Sequence, residues 1–538
     1  MKKIWCIMAI ATALVSLQAA EPALRIGWGR RSINPGKPVA ITGQTYLRVS
    51  IGEYNPVVTE ALVIENGRDA VIFVSVDVVS VRVLDEVRAK LRAAVPEIPV
   101  EKLVINATHT HAGPSFSNGK ALIPEMTYMP TGEIIDFLAK QISEAVIDAW
   151  KNRAPGSVAF GYGFATVGHS RRTAFSNPQD SPAKGKRSAG IFTNGYVRMY
   201  GNTAEESFSH YEAGTDAFAN FMYTFDTAGK LTGAVINVPC PAQTNEAAWV
   251  LHASFWHPVR EKLRARYGNI GIIAQSAAAG DLAPRQLHYL SAELRRYRLK
   301  YPEQYRKLMK TGLPYPKGLF NDEAAEKLSR EKNALEMLRA EDISCRITAA
   351  FNEVLSWARN DRLSAPVFRH EVASVKLERR MVTEDELRDA RKAIDELDAE
   401  MAKLKKAGEP VPPTMMSRKA RFKRVIDRYE LQKREPEFVT DIHAIRIGDF
   451  AFVSNRFELF IDFMHRIQGR SPFVQTIVVQ LTADPGQKGG GSYLPTERAV
   501  FNQGYSATLQ SNQVSPAGGQ QLVDCTVDLL KRLHGTSK

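Results

Sequence analysis

Cysteine is scarce in this chain. There are four cysteines among 538 residues, and Cys6 lies in the extreme N-terminal segment. The others, Cys240, Cys345 and Cys525, are an odd set, so at least one thiol is unpaired and a disulfide-stapled scaffold is excluded. Long apolar runs are equally rare. The one present extends from Ile4 to Leu17, after Met1-Lys-Lys and before Gln18-Ala-Ala20. A basic start, an apolar stretch and small residues in that order are those of a signal peptide. The run is too short and wrongly flanked for a good membrane span, although an uncleaved anchor is the alternative. No cysteine follows it where a lipoprotein signal needs one. The expectation is a soluble exported chain, periplasmic or secreted, starting near Ala20 or Glu21. Acidic residues are also in deficit, 58 against 71 Lys and Arg, for a net charge of +13. The excess gathers in Arg295-Arg-Tyr-Arg-Leu-Lys300 and Arg418-Lys-Ala-Arg-Phe-Lys-Arg424. Such runs suit either an anionic membrane surface or solvated helix faces with acidic neighbours, as Asp427, Glu430 and Glu435 provide. An exported chain with no binding motif is not expected to take nucleic acid as a partner. There is no internal repeat.

Hydrophobic residues make up 44% of the sequence, enough for a full core, and the length suits one large domain or two ordinary ones. From Leu24 to about Leu290, apolar β-rich runs alternate with amphipathic helices. Strands are read at 70–77, 100–107, 231–238 and 270–274, and helices at 84–94, 134–150 and 254–267. This alternation predicts an α/β layered core. From about 290 to 435 the composition turns to Lys, Arg, Glu and Leu with helical periodicity, clearest at Glu384 to Lys406 and broken by Gly408-Glu-Pro-Val-Pro-Pro413. The reading is a helical insertion with a helical hairpin and a short strand near Val372 to Leu377, serving as a lid or brace without chemistry of its own. Strands return at 442–447 and 450–454. A polar tail from Ser506 to Gly519 precedes a closing helix from Gln521 to Leu533.

The chemistry concentrates at Leu103-Val-Ile-Asn-Ala-Thr-His-Thr-His-Ala-Gly-Pro114. An apolar strand delivers His109 and His111 just before a Gly-Pro break. Residues two apart on an extended chain face the same side, so both imidazoles are aimed at one point. A metal site and a buried structural histidine are the two readings of the pattern alone. Other strand ends carry Val238-Pro-Cys-Pro-Ala-Gln243, Ala278-Ala-Gly-Asp-Leu-Ala-Pro284, Ser454-Asn-Arg-Phe-Glu458 and Gly489-Gly-Gly-Ser-Tyr-Leu-Pro-Thr-Glu497. Loops beyond the carboxyl ends of strands converge on one crevice in α/β sheets.

Taken together these segments resemble the catalytic N-terminal region of the neutral ceramidase family. Its Gly-Thr-His-Thr-His-Ser-Gly-Pro is matched by Ala107 to Pro114, and its Asn-Arg-Ser-Pro is approximated by Ser170-Arg-Arg-Thr173. Its Ala-Val-His has Val238-Pro-Cys240 in its place, and its Gly-Asp-Val-Ser-Pro has Gly280-Asp-Leu-Ala-Pro284. Its Pro-Gly-Glu-Phe has Arg456-Phe-Glu458. Its Tyr-Val-Thr-Thr-Pro-Glu-Glu-Tyr and Gln-Tyr-Glu-Gly have Tyr493-Leu-Pro-Thr-Glu497 and Gln503-Gly-Tyr505. The order is kept over about residues 24 to 515. The family's C-terminal immunoglobulin-like domain has no counterpart after the closing helix.

The resemblance implies a mixed-sheet, ceramidase-like α/β core with a helical insertion at about 290–435. It also implies zinc (Zn2+) held by His109, Cys240, Glu458 and Tyr493. A thiolate is a good zinc ligand that leaves the ion less electrophilic than imidazole would; a buried small hydrophobe is the other reading of Cys240, and a packed aromatic that of Tyr493. The family's pocket serine is Ala283 here, so that nucleophile is missing and metal-activated water is the expected attacking group. His111 and Asp281 are expected to move the proton or orient the ligand shell, with Tyr505 beside them. Arg172, or Arg171, would stabilise a developing oxyanion unless it is a surface ion pair. The expected activity is hydrolysis of an N-acyl linkage in a lipid or small-molecule amide, as in sphingolipid metabolism. A catalytically weak lipid- or glycan-binding protein and a metallohydrolase of esters are the alternatives, because fold does not fix function.

Overall fold

The structure is a computed structural model and describes residues 21–117, 119, 121–176, 196–320, 322–486 and 492–535. The signal-peptide reading of residues 1–20 and the triple glycine at 489–491 lie outside the described residues. Among the described residues no helix is long and apolar enough to cross a membrane.

An eight-stranded mixed sheet organises the molecule. Its spatial order is Gly271–Ser276, Leu231–Val238, Phe218–Asp226, Ala154–Phe164, Arg25–Ser32, Val58–Glu65, Ala70–Val76 and Leu103–Ala107. The pair at each end is parallel and the inner pairs are antiparallel. Ala70–Val76 is buried along its whole length, which explains its unbroken apolar sequence: both faces meet protein. The sheet curls until its edges meet, where the Asn106 amide donates 2.9 Å to the Ala274 carbonyl. One face carries the helices Leu84–Ala94, Thr131–Lys151, Trp256–Tyr267 and Glu323–Ala358. The other packs Leu62, Phe73, Phe160 and Met222 against Ile445, Phe452 and Ile477 of a second sheet. That sheet has the order Phe368–Glu378, Glu437–Ile447, Phe450–Ser454 and Gln475–Val479. Its outer face is covered by Ile461–Arg470 and Pro516–Gly535. The layers are therefore helix, sheet, sheet, helix, and the α/β reading is correct.

The segment from 290 to 435 is not one insertion. Glu323–Ala358 joins the main core through Ile343, Ile347, Phe351 and Val354. The strand expected near 372–377 is longer, Phe368–Glu378, and pairs antiparallel with Glu437–Ile447 along its full length. The helices Leu290–Lys300 and Pro302–Thr311 pack on Leu338 of the long helix Glu323–Ala358 through Tyr297 and Tyr301, and the stretch between the two strands is a separate helical excursion. Glu384–Lys406 starts on a Thr383/Glu386 capping box, and Pro413–Gln432 returns after Pro412. Leu387, Leu397 and Met401 pack against Met415, Phe422 and Val425 to hold the pair together.

A buried histidine pair joins the two sheets. His370 Nδ1–H donates 2.9 Å to the Ala70 carbonyl, which leaves its Nε2 to accept from His443 Nδ1–H at 2.9 Å. Burial pushes His370 down to about 3, and burial, His370, Arg88 and Lys102 hold His443 well below the usual histidine range. Unfolded, both return to about 6.5 and bind protons that the folded pair refuses. Stability is thus retained above about 6.5 and lost as pH falls from there toward 3. Denaturant titrations at stepwise pH should show this loss, and His443→Gln should reduce the slope by about 1.4 kcal/mol per pH unit. An unchanged slope would mean that the pair does not drive the acid sensitivity.

Candidate active site

The described parts of the segments that carry His109, Cys240, Asp281 and Glu458 follow the strands Leu103–Ala107, Leu231–Val238, Gly271–Ser276 and Phe450–Ser454, where loops of α/β sheets form crevices. The chain leaving Leu103–Ala107 turns at His109, whose φ of 64° is left-handed and uncommon for a residue with a side chain. Backbone strain of this kind persists only where surroundings impose it. Here Val78 and Val79 do so: the His109 N–H donates to the Val78 carbonyl, and Nδ1–H donates 2.7 Å to the Val79 carbonyl. With Nδ1 so engaged, Nε2 is the nitrogen turned to the site. His109 Nε2 lies 3.4 Å from Glu458 Oε2 and 3.4 Å from His111 Nε2.

Glu458 is aligned by its pairing with Tyr493, parallel and in register. Behind it, Gly280 packs so closely on the Glu458 carbonyl that a Cβ would collide with it. Burial opposes ionisation of Glu458, but His109, Arg171 and the Tyr493 hydroxyl hold its carboxyl below the usual range. Burial and the Glu458 charge push the Tyr493 phenol well up, so it stays a donor to that carboxylate. His111 is held well below the usual histidine range by burial and by His109, Arg48, Arg171 and Arg285, and is neutral. Its Nε2 lies 2.8 Å from the Gln243 amide, and its Nδ1 lies 3.6 Å from Glu246 Oε2. Glu246 is held in turn by Arg285 at 2.8 Å.

These atoms fit a cation. His109 Nε2 faces Glu458 Oε2 on one side and His111 Nε2 on the other, and the His111 nitrogen also accepts from the Gln243 amide at 2.8 Å. Donors on a tetrahedral zinc with bonds of about 2.0–2.1 Å lie roughly 3.4 Å apart, and both His109 edges have that length. Among the described residues no three His, Cys, Asp or Glu side chains close into a cage by themselves. The arrangement is two edges sharing His109, with the Tyr493 phenol beside Glu458.

The site opens on a cavity of about 940 Å3, lined by Gly43, His111, Arg171, Tyr200, Gln243, Glu246, Tyr493 and Tyr505 and roofed by the helix Pro413–Gln432. The Tyr505 ring packs on Tyr493 with centroids 5.5 Å apart. Gly43, at φ 103°, lies against the His111 ring where a Cβ would clash.

Three expected residues are placed elsewhere. The Cys240 thiol is buried in the main core and donates to the Val167 and Pro241 carbonyls at 3.4 Å. Burial pushes it up, so it stays a neutral thiol. Arg172 is wholly buried against Glu212 and donates to the carbonyls of Tyr505 (2.8 Å), Gln503 (2.7 Å) and Ala499 (3.3 Å). Arg171 is the arginine that reaches the cavity, with its guanidinium on the Gly280 carbonyl at 2.7 Å and over the Tyr493 ring. Asp281 lies beneath the Glu458 loop, where its Oδ1 accepts from Ile461 N–H at 3.1 Å at the start of a helix, and burial pushes its carboxyl up to about 7. Ala283 is buried in a two-residue strand opposite His169. Gln243, Glu246 and Gly43 carry no motif of their own. The Gln243 position two residues past Pro241 was the available signal.

In the native protein a thiol reagent should label the partly exposed Cys345 and Cys525 and leave Cys240 untouched until denaturant is added. Arg172→Met should lower unfolding stability by about 3–5 kcal/mol, because Glu212 is left charged and buried. Rapid native labelling of Cys240, or a neutral Arg172→Met, would refute these placements.

No family model matches the sequence, and no curated protein is detectably similar to it. Solved structures do share its fold. A crystal structure of neutral ceramidase from Pseudomonas aeruginosa superposes with a TM-score of 0.60 at 16% identity, covering 95% of this chain and 75% of that one. A ceramidase complexed with C2 superposes with a TM-score of 0.57 at 15% identity, covering 95% and 76%. The chain therefore has the ceramidase fold over nearly all of its length.

Proposed function

We propose that this protein is a zinc-dependent hydrolase of N-acyl amides. The observation that carries the reading is the fixed His109 ring, whose Nε2 faces His111 Nε2 and Glu458 Oε2 at 3.4 Å each. The metal would be held by His109, Glu458 and Tyr493, with the fourth position left to water; Cys240, turned into the core, does not reach it. Imidazole nitrogen with carboxylate and phenol oxygen is a donor set that suits zinc. A zinc ion there would polarise an amide carbonyl and acidify a water molecule.

The chain's own residues supply the remainder. Arg171, charged and buried beside Tyr493, is aimed at the cavity from which a carbonyl would enter, and stabilises the negative charge that develops on its oxygen. His111 is neutral, with Glu246 behind Nδ1, and its Nε2 takes the proton from water and returns it to the departing amine nitrogen. Gln243 orients that ring until then. Ala283 offers no hydroxyl, so no acyl group is carried on the protein at that position. The fold of amide-cleaving neighbours supports this choice over ester hydrolysis. The apolar leader expected at residues 1–20 supports a periplasmic or secreted location. Ala283 favours a second reading, a weakly active binding protein for lipid or glycan, and turnover decides between the two.

Purified protein should contain about one zinc per chain by elemental analysis, and His109→Ala and Glu458→Gln should each lose most of it. Cys240→Ser should retain it, since the thiol faces the core. Full occupancy in the first two variants would sink the metal site, and loss in Cys240→Ser would restore the thiolate ligand.

Hydrolysis of an N-acyl amide in water enriched in heavy oxygen should place the label in the released acid without a trappable acyl adduct. A covalent acyl-protein, or turnover unaffected by verified zinc removal, would overturn the mechanism.

A further inference from the structure

The two basic runs have opposite fates in the fold. In the first, Arg296 and Lys300 pair with Asp342 at 3.3 and 2.7 Å, and Arg298 lies over the Tyr305 ring. In the second, Lys419 pairs outward with Asp398, but Arg418, Arg421 and Arg424 line the cavity. Their spacing of three puts them on one face of the helix Pro413–Gln432. Among the described residues, with Arg171 they give four guanidinium groups around the cavity against one lining carboxylate, Glu246. That carboxylate is already held by Arg285 at 2.8 Å.

The local chemistry sharpens the imbalance. Arg424 is affected chiefly by burial, by the like charge of Arg421 and by the Tyr505 hydroxyl, with no carboxylate among these influences. Among the described residues neither Arg424 nor Arg418 has a salt bridge, although Arg418 also borders a groove lined by Glu386, Asp389, Glu396 and Glu400. Arg421 donates 3.1 Å to Ser511 Oγ and lies over the Tyr505 ring. Tyr505 in turn packs on Tyr493. Two ring contacts thus connect the arginine roof to the residue beside Glu458. The Arg418 and Arg424 guanidinium groups, which have no salt bridge among the described residues, favour oxyanions that accept paired N–H bonds. The cavity of about 940 Å3 has room for a ligand that spans both ends.

We propose that the substrate is anionic: an amide whose non-reacting end carries a carboxylate, sulfonate or phosphate group held beneath the helical hairpin by Arg418 and Arg424. This rests on the amide-hydrolase reading for the bond that is cut, but not for the recognition of the anion. The helical excursion is then the specificity element of the site. It places positive charge where a neutral lipid amide has nothing to offer it.

Equilibrium binding tests this without requiring turnover. N-hexanoylglycine and N-hexanoyltaurine, which are anionic, are compared by calorimetry with neutral N-hexanoylethanolamine on the whole protein. The anionic amides should bind at least about tenfold more tightly at low salt, and the difference should shrink as salt rises. Arg424→Gln and Arg418→Gln should each remove most of that preference while leaving N-hexanoylethanolamine binding unchanged. Lys423→Gln, on an exposed position of the same helix outside the cavity lining, should leave all three affinities as they were. Equal binding of the three amides by the wild-type protein would overturn the proposal. So would capture of phosphatidylglycerol vesicles that Lys423→Gln weakens as much as Arg424→Gln, which would assign the basic face to a membrane surface. An anion preference without cleavage of any amide would keep this proposal and reject the hydrolase reading instead.

Discussion

The side-chain amide of Gln480 is the fastening on which the geometry of the site depends. It is almost wholly buried just past the last strand of the smaller sheet. Its Oε1 accepts from the N–H groups of Ala279 at 3.1 Å and Leu459 at 3.0 Å, and its Nε2 donates 2.9 Å to Ser276 Oγ. One residue therefore ties the loop after Gly271–Ser276, in the large sheet, to the loop carrying Glu458, in the small one. The chain then continues into Leu481, whose carbonyl accepts from Ala107 N–H, two residues before His109. A buried amide with all of these bonds made is rigid, because breaking any one leaves a polar group without water or a partner. His109 and Glu458 come from different sheets, and this seam sets the distance between them.

The electrostatics of the cavity follow from what the seam brings together. At its floor, imidazole lone pairs and a carboxylate face one another, an arrangement that calls for a cation. At its roof, arginines with few carboxylate partners call for an anion. Opposite demands at the two ends of one cavity give a bound molecule a direction as well as a place. Burial strengthens the demand at the floor, since charges are screened less there than at the surface.

The helical excursion between the paired strands Phe368–Glu378 and Glu437–Ile447 could have been a brace only. Its inner packing, Leu397 and Met401 on Phe422 and Val425, accounts for its stability. What makes it part of the site is the rotation of its second helix. The apolar face turns to the partner helix, which carries the adjoining arginine face to the cavity, with Arg421 over the Tyr505 ring. Residues three apart share a helix face whatever the surroundings, but only packing decides what that face meets.

The sequence alone determined the α/β layering, the main strands and helices, and the pairing of His109 with His111 at a strand end. Periodicity and apolar runs are local properties; the two imidazoles do meet, but through a left-handed turn at His109 (φ 64°) and not through the extended backbone expected there. Glu458 and Tyr493 were legible through their place in an ordered series of motifs. What only the tertiary structure decided was side-chain direction at single positions. Arg171 and Arg172 are neighbours in sequence, yet one faces the cavity and the other is consumed by Glu212, because a step of one residue in extended chain reverses the side. Cys240 stands at the matching strand end, but a thiol is small and apolar enough to turn into the core, and two backbone carbonyls receive it there. The roles of Gln243, Gln480 and the roof arginines depend on contacts between residues far apart in the chain, which no local pattern encodes.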